Sequence, residues 1–450
     1  MDQKLLPFAL QDVPRYTSYP TAVQFQDGFP GDQADRWLAE LPRDASLSIY
    51  VHVPFCQQLC WYCGCHTSVP NSYGRASAYV DSLLSDITRS GKLSGAEKGN
   101  VKHLHFGGGT PTYLSNADLG RILACINGSF GLAPEAEIAL ESDPRGITRD
   151  RAFGLAAMGF NRISFGVQDF SLPVQMKINR LQTHGLVAHV AELLREAGFT
   201  SINFDLMYGL PAQTAGSVRQ TAKQAAALRP SRISVFGYAH VPWFKKHQRM
   251  ISDSDLPGVS ERYDQASAIA EELGHAGYAA IGLDHFALPD DPLAMAASAE
   301  TLRRNFQGYT TDTADALLAF GASAISEFPQ GFAQAARDTL AWSQAIAGRK
   351  SPIVRGLAST AEDRMRGAII EQIMCNFSAD FGAIASRHGF TTSALEDSLV
   401  RLQPLIAAGL ANIAGSIVRV PREHRLFLRS VACAFDGHYT AAKNRHARAI

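Results

Sequence analysis

No stretch of this 450-residue chain is apolar for the length that a membrane crossing needs, and the apolar run within Met1 to Leu10 is too short for an export signal. A membrane partner is therefore not expected, and a reducing, cytoplasmic setting is. Charge of either sign is not in excess: 42 Lys and Arg face 42 Asp and Glu. No overall field draws the chain to nucleic acid or anionic lipid. The one basic run, Lys443 to Arg448, reads as a solvated tail. Also missing are a Gly-Lys-Ser/Thr phosphate loop and a Gly-x-Gly-x-x-Gly turn after a strand, which leaves nucleoside triphosphate and dinucleotide folds without support. Any charged ligand must be met locally.

Cysteine is scarce too, seven in all, yet four of them stand in one short segment, Cys56-Gln-Gln-Leu-Cys60-Trp-Tyr-Cys63-Gly-Cys65. Three thiolates on one loop can hold three corners of a cuboidal iron-sulfur cluster and leave the fourth iron without a protein ligand. An open corner lets a small molecule chelate the metal and take an electron, whereas a ferredoxin closes all four. Zinc competes for such a loop, but its usual second, separated Cys pair is not present. A disulfide is the third reading. Cys125, Cys375 and Cys433 stand singly in apolar helical stretches, as small buried hydrophobes do.

After a polar arm to about residue 45, short β-branched runs alternate with longer amphipathic ones, the mark of parallel βα units. Strands are expected at Leu47 to Val53, Val101 to Phe106, Glu137 to Glu141, Arg162 to Gly166, Ser201 to Leu206 and Arg232 to Phe236. The fold class is α/β, an incomplete (β/α)6-type parallel barrel, with divisions at 1–45, 46–340 and 355–450. Barrels of this kind build active sites where strands end. The Cys loop, Gly107-Gly108-Gly109-Thr110, Glu141, Gln168, Asp205 and Tyr238-Ala239-His240 all follow or close expected strands. Each has a bland alternative: a turn for the glycines, a helix cap for Glu141 or Asp205, a core role for His52.

Taken together, Tyr50-Val-His-Val-Pro-Phe-Cys56, the Cys loop, His105-Phe-Gly-Gly-Gly-Thr-Pro-Thr-Tyr-Leu114, Phe165-Gly-Val-Gln-Asp-Phe170, Asn203 to Pro211 and Asn305 to Thr311 are recognisable. The chain resembles the oxygen-independent coproporphyrinogen III oxidase family of the radical S-adenosylmethionine superfamily, from Pro14-Arg-Tyr-Thr-Ser-Tyr-Pro-Thr21 to the C-terminal helices. The resemblance implies that Cys56, Cys60 and Cys63 ligate a [4Fe-4S] cluster. It implies that Tyr50, Gly108, Glu141, Gln168, Arg180 and Asp205 hold one S-adenosylmethionine, and that Tyr62, Gly109, Thr110, Ala239 and Ile325 adjoin a second. Reduction of the cofactor to a 5′-deoxyadenosyl radical would then convert two propionates of coproporphyrinogen III to vinyl groups, giving protoporphyrinogen IX.

Arg180 suits a carboxylate, since its planar fork donates two parallel hydrogen bonds, and a plain ion pair with one acid is the structural alternative. The substrate's carboxylates call for Arg, Lys or neutral donors, with Arg15, Tyr16, Tyr19, Arg304, Gln307 and Thr311 as candidates. Cys65, not needed by a three-thiolate cluster, is placed at the cofactor pocket as the candidate catalytic cysteine. A flavodoxin or ferredoxin is the expected reductant and a monomer the expected state. A haem-binding chaperone of the same superfamily is the alternative, and Cys65 argues against it because those relatives generally carry Phe there. From about Arg355 helices dominate, with a hairpin around Gly415, in a winged-helix-like pattern without the basic face that nucleic acid requires.

Overall fold

Alternation along each strand decides the architecture. In Leu47–Val53 the odd residues Leu47, Ile49, Val51 and Val53 are at most 1% exposed and join the core that contains Tyr79, Val80, Leu83 and Ile87 of the helix Gly74–Leu93. The even residues Ser48, Tyr50 and His52 must therefore turn to the opposite face. The same rule puts Leu104 and Phe106, Ile138 and Leu140, Ile163 and Phe165, and Ile202 and Phe204 under the helices. His105, Glu141, Ser164, Gln168, Asn203 and Asp205 stand on the inner face. A polar interior is thus written into a period of two.

The computed structural model describes residues 1–440 and 448–450. Its parallel strands are β1 (Leu47–Val53), β2 (Val101–Gly108), β3 (Leu132–Ser142), β4 (Arg162–Gln168), β5 (Ser201–Tyr208), β6 (Arg232–Gly237) and β7 (Ala316–Phe320). They lie in the order β7-β1-β2-β3-β4-β5-β6. All six expected strands are present, most of them longer than expected at one or both ends. The seventh was not foreseen. Antiparallel strands extend both edges: His285–Ala287 pairs with β6, and Ile325–Phe328, Gly331–Ala335 and Ile353–Ala358 follow β7. The outermost strands are Gln26–Asp27 and Ala279–Ile281, so the array stays open, as an incomplete barrel should.

Two boundaries need correction. Ile353–Ala358 is hydrogen-bonded into the main sheet, so residue 355 falls inside a strand and the helical region starts at Ala361. The first 45 residues are not a detached arm. Leu5, Ala9, Val13 and Tyr16 are buried with Met365, Ile369 and Ile373 in the C-terminal core, while Trp37 and Leu38 join the barrel core. The C-terminal region packs the helices Ala361–Asn376, Phe381–Arg387, Glu396–Ala407 and Leu428–Cys433 with a three-stranded sheet. Lys443 to Ala447 lie outside the described residues. Arg448 does not read as a solvated tail, because its carbonyl accepts from Arg429 at 2.7 Å.

Candidate active site

The cysteine segment leaves β1 as a loop whose own carbonyls are tied down from two sides. Asn179 Nδ2 donates to the Leu59 carbonyl at 2.9 Å and Gln248 Nε2 to that of Tyr62 at 2.9 Å. His247 Nε2 lies 2.7 Å from the Cys63 carbonyl, and Lys245 Nζ donates to that of Cys65 at 2.7 Å. A ligand loop without regular hydrogen bonding is thereby fixed by side chains distant in sequence. Glycine is required where β2 runs beneath it: a Cβ on Gly109 would come within 2.6 Å of Thr67 Oγ1 and 2.7 Å of the Phe55 carbonyl. Crowding, more than a need for bare backbone, explains this end of the glycine triplet.

Cys56, Cys60, Cys63 and Cys65 line one cavity of about 990 Å³. So do Tyr62, Gly108, Gly109, Thr110, Glu141, Gln168, Arg180, Asp205 and Ala239. Two expected residues do not reach its lining. Tyr50 packs behind it, its ring stacked on His105 at 6.0 Å and its hydroxyl 3.2 Å from His52 Nδ1. Ile325 begins the strand beside β7, level with Ala319 and so one strand removed from Tyr50, and does not itself line the cavity.

The sulfurs have hydrogen-bonding partners suited to anionic thiolate. Cys56 Sγ is 3.1 Å from Thr67 Oγ1 and 3.4 Å from Thr110 Oγ1, and Arg180 Nη1 is 3.5 Å from Cys60 Sγ. A hydrogen bond from Cys65, chiefly, brings the Cys63 thiol down to about 7, while burial pushes Cys56 up. Donors aimed at sulfur are what an iron-sulfur cluster uses to tune its charge. The donor set therefore fits a cluster held by three thiolates.

Around the sulfurs the polar groups are arranged by sign. Glu141 is buried, which pushes its carboxyl up, but His105 and the Gly108 N–H at 3.1 Å outweigh burial and hold it below its ordinary value. Asp205 accepts from Ser164 Oγ at 2.9 Å and Asn203 Nδ2 at 2.8 Å, while burial and Glu141 raise it. Arg180 donates to Asp143 Oδ2 at 3.0 Å and to the Gly166 carbonyl at 3.0 Å. Its ion pair is thus with Asp143, an acid not anticipated, and Arg145 binds the same carboxylate at 2.6 Å. The signal was available: Asp143 follows Glu141 by two residues, and so points to the same side of the chain leaving β3. Gln168 has φ +65°, left-handed for a residue with a side chain, at a bulge where β4 meets the cavity.

Several expectations resolve toward structure. His52 is held between Tyr50 and the His66 carbonyl, and burial lowers it to about 4, so it is a neutral interior histidine. Tyr16 donates to Asp436 at 3.0 Å, and Tyr19 accepts the Gly437 N–H at 2.9 Å. Both pack with the C-terminal core and do not line the cysteine cavity, because the segment after Pro14 turns to pack on the helices. Nor does Thr311 line it. Arg15, Arg304 and Gln307 do line a second cavity, and Arg15 borders both.

Residues 50–225 match the model of the radical SAM superfamily. The chain is 48% identical over 438 residues to an oxygen-independent coproporphyrinogen III oxidase of Bradyrhizobium diazoefficiens, covering 97% of both chains. It is 40% identical over 425 residues to the protein of that name from Escherichia coli, covering 94% of this chain and 92% of the other. The solved structure of coproporphyrinogen III oxidase (HemN) from Escherichia coli, described as a radical SAM enzyme, superposes with a TM-score of 0.90 at 38% identity, over 96% of this chain and all of that one.

Proposed function

The chain belongs to the oxygen-independent coproporphyrinogen III oxidase family of radical SAM proteins, and from that premise we propose that it oxidatively decarboxylates two propionates of coproporphyrinogen III to vinyl groups, yielding protoporphyrinogen IX. The observation that carries this reading is the meeting of three thiols with Glu141, Arg180 and Asp205 in one cavity. A simple electron carrier has no use for that set of charges around its cluster. The cofactors are a [4Fe-4S] cluster and S-adenosylmethionine; when bound, they supply the one-electron chemistry that begins with hydrogen-atom removal from the propionate chain.

The chain's own residues bind and exclude. Cys56, Cys60 and Cys63 hold the cluster. Arg180 is the partner for the cofactor's carboxylate, and Glu141 and Asp205 accept from its ammonium and ribose hydroxyls. A cavity of about 990 Å³ is at the upper end of those that hold one small ligand, which supports room for a second S-adenosylmethionine beside Tyr62, Gly109, Thr110 and Ala239. Cys65, exposed on the cavity wall next to the Cys63 thiol, acts on the reaction and not on cluster assembly. Among the described residues no helix is long and apolar enough to cross a membrane. A cytoplasmic monomer reduced by a flavodoxin or ferredoxin is the setting proposed.

The reconstituted, reduced protein, incubated anaerobically with S-adenosylmethionine and coproporphyrinogen III, is expected to release two carbon dioxide molecules per macrocycle with protoporphyrinogen as product. Haem binding without decarboxylation would replace this reading with that of a carrier.

A further inference from the structure

Beside the cluster cavity, and sharing with it the edge Phe236-Gly237-Tyr238-Ala239, lies a second cavity of about 1010 Å³. Arginines reach it from four parts of the chain: Arg15 near the N-terminus, Arg262 in the helix Val259–His275, Arg304 in the strand Arg303–Asn305, and Arg425 and Arg429 in the C-terminal region. Among the described residues none of the five stands within ion-pair distance of an acid, although Asp284 is near enough to Arg304, Arg425 and Arg429 to act on them through its charge. Of the five acids on the lining, Asp12, Asp253, Glu271, Asp284 and Glu423, three are engaged by other cations, Asp253 by His240, Glu271 by Arg219 and Asp284 by His285, and they stand against seven arginines, Arg422 and Arg448 included. Four guanidinium nitrogens, on Arg262, Arg304, Arg425 and Arg429, are buried and have no hydrogen-bond acceptor. These nitrogens are turned away from the open space, but the residues that carry them line it, and a concentration of guanidinium groups on one cavity wall favours an anionic occupant.

Part of this cationic set is structural. Arg429 donates to the carbonyls of Val13, Arg448 and Ala449, and Arg425 to that of Gly282 while lying 4.6 Å over the Phe286 ring. Arg262 has no such employment. Its guanidinium lies over Tyr208 at 5.5 Å, in space that exists only because two strand ends lack a side chain. A Cβ on Gly209, whose φ is +79°, would fall 2.3 Å from Arg262 Nη1, and one on Gly237 would fall 3.2 Å from Nη2. A backbone shaped to seat a guanidinium that forms no side-chain hydrogen bond among the described residues, beside the mouth of the barrel, is a recognition device. Burial lowers Arg425 and Arg429 to about 10. An incoming carboxylate reverses that penalty.

Resting on the activity proposed above, we infer that Arg262, Arg425 and Arg429, with Arg15 and Arg304 beside them, receive the propionate carboxylates of the substrate that are not reacting. The macrocycle then sits in the second cavity against Trp243 and Phe306, and the reacting propionate passes the Gly237 edge toward the cysteine loop. Release of one vinyl product arm and rotation of the ring would present the second propionate to the same edge while the arginines exchange carboxylates.

The test is equilibrium binding, independent of turnover. The cofactor-loaded protein is titrated, by porphyrin fluorescence, with coproporphyrin III, the oxidised tetracarboxylic macrocycle, and with its tetramethyl ester. Wild type is expected to bind the acid far more tightly than the ester. Arg262→Met and Arg425→Met should each weaken acid binding about tenfold and leave ester binding unchanged, with partial recovery in Arg262→Lys. Cluster absorbance and melting temperature report folding; if Arg425→Met does not fold, Arg262→Met, which forfeits no hydrogen bond, decides alone. Equal affinity for acid and ester, or unchanged acid binding in Arg262→Met, overturns the inference. If wild type decarboxylates coproporphyrinogen III while that variant binds normally, only the arginine assignment fails. If wild type releases no carbon dioxide yet shows arginine-dependent binding of the acid, the cavity assignment stands and the proposed activity fails.

Discussion

The two adjoining cavities hold their arginines in opposite ways. On the cluster side Arg180 and Arg145 converge on Asp143, so both cations have an acid partner within the protein, one carboxylate shared between two guanidinium groups. On the other side Arg262, Arg304, Arg425 and Arg429 line a cavity with no acid at ion-pair distance among the described residues. A compensated cation positions a ligand by geometry while the site stays stable alone. An uncompensated one holds affinity in reserve for an anion that must arrive, at the expense of the empty protein. Both devices are built from the same residue type. What separates them is whether the strand end supplies an acid, as β3 does after Ser142, or a glycine, as β5 does after Tyr208.

The largest effect expected lies on the cluster side. Cys56→Ser should lose its iron and all decarboxylation, whereas Cys65→Ser should keep its iron and lose activity; iron analysis that finds the two equally empty would remove the three-thiolate assignment. Next, the paired and unpaired arginines should respond in opposite directions to charge removal. Asp143→Asn strands Arg180 in a buried site and should cost about 3 kcal/mol of unfolding free energy. Arg262→Met should leave the urea midpoint unchanged or raise it, and comparable destabilisation in both would erase the contrast drawn between the cavities.

The two sides should also differ in acid. His52 is buried and lowered to about 4, so the unfolded chain takes up a proton below about 6.5 that the folded protein refuses. Stability therefore falls as pH drops from about 6.5 to about 4, by roughly 3 kcal/mol, and His52→Gln should flatten that part of the profile. Arg425 and Arg429, charged throughout that interval, should leave it unaltered when replaced by Met. The smallest effect is at the seat of Arg262. Gly209→Ala introduces a side chain at positive φ and against the guanidinium, and should cost about 1–2 kcal/mol while weakening coproporphyrin III binding. Weaker binding with no change for the tetramethyl ester would locate the loss in the carboxylate contact.

Much of the cluster side was legible because its residues sit at strand ends, and the strands announce themselves. Cys56 to Cys65, Gly109, Glu141 and Asp205 needed only the rule that strand ends meet at one face of a parallel barrel. Asp143 was hidden by standing one residue beyond β3, although its spacing from Glu141 placed it on the same side. Thr67 gave no signal at all, since a hydroxyl that hydrogen-bonds a ligand sulfur looks like any loop threonine. Sequence order gives no hint that the strand of Ile325 lies only two places from β1 in the sheet, because the pairing of β7 with β1 joins segments 269 residues apart.

The arginine cavity was nearly invisible. Arg15 and Arg304 stand in segments whose pattern suggests carboxylate partners, but Arg262, Arg425 and Arg429 come from helical segments where a cation ordinarily faces water. Tyr16 and Tyr19 drew attention for the same reason that they turned out structural: aromatic hydroxyls in a proline-rich segment suit a pocket and a core equally well. Tyr16 found Asp436, some 420 positions away in sequence, and no local pattern contains that contact.

The cysteine loop, the βα alternation and the polar inner face follow from local order along the chain, because ligand spacing and strand period are properties of neighbouring residues. Tertiary structure alone decided which cations would be neutralised and which left waiting. That outcome depends on how the N-terminal segment and the C-terminal helices close against the open edge of the barrel, and charge compensation is a property of space, not of order along the chain.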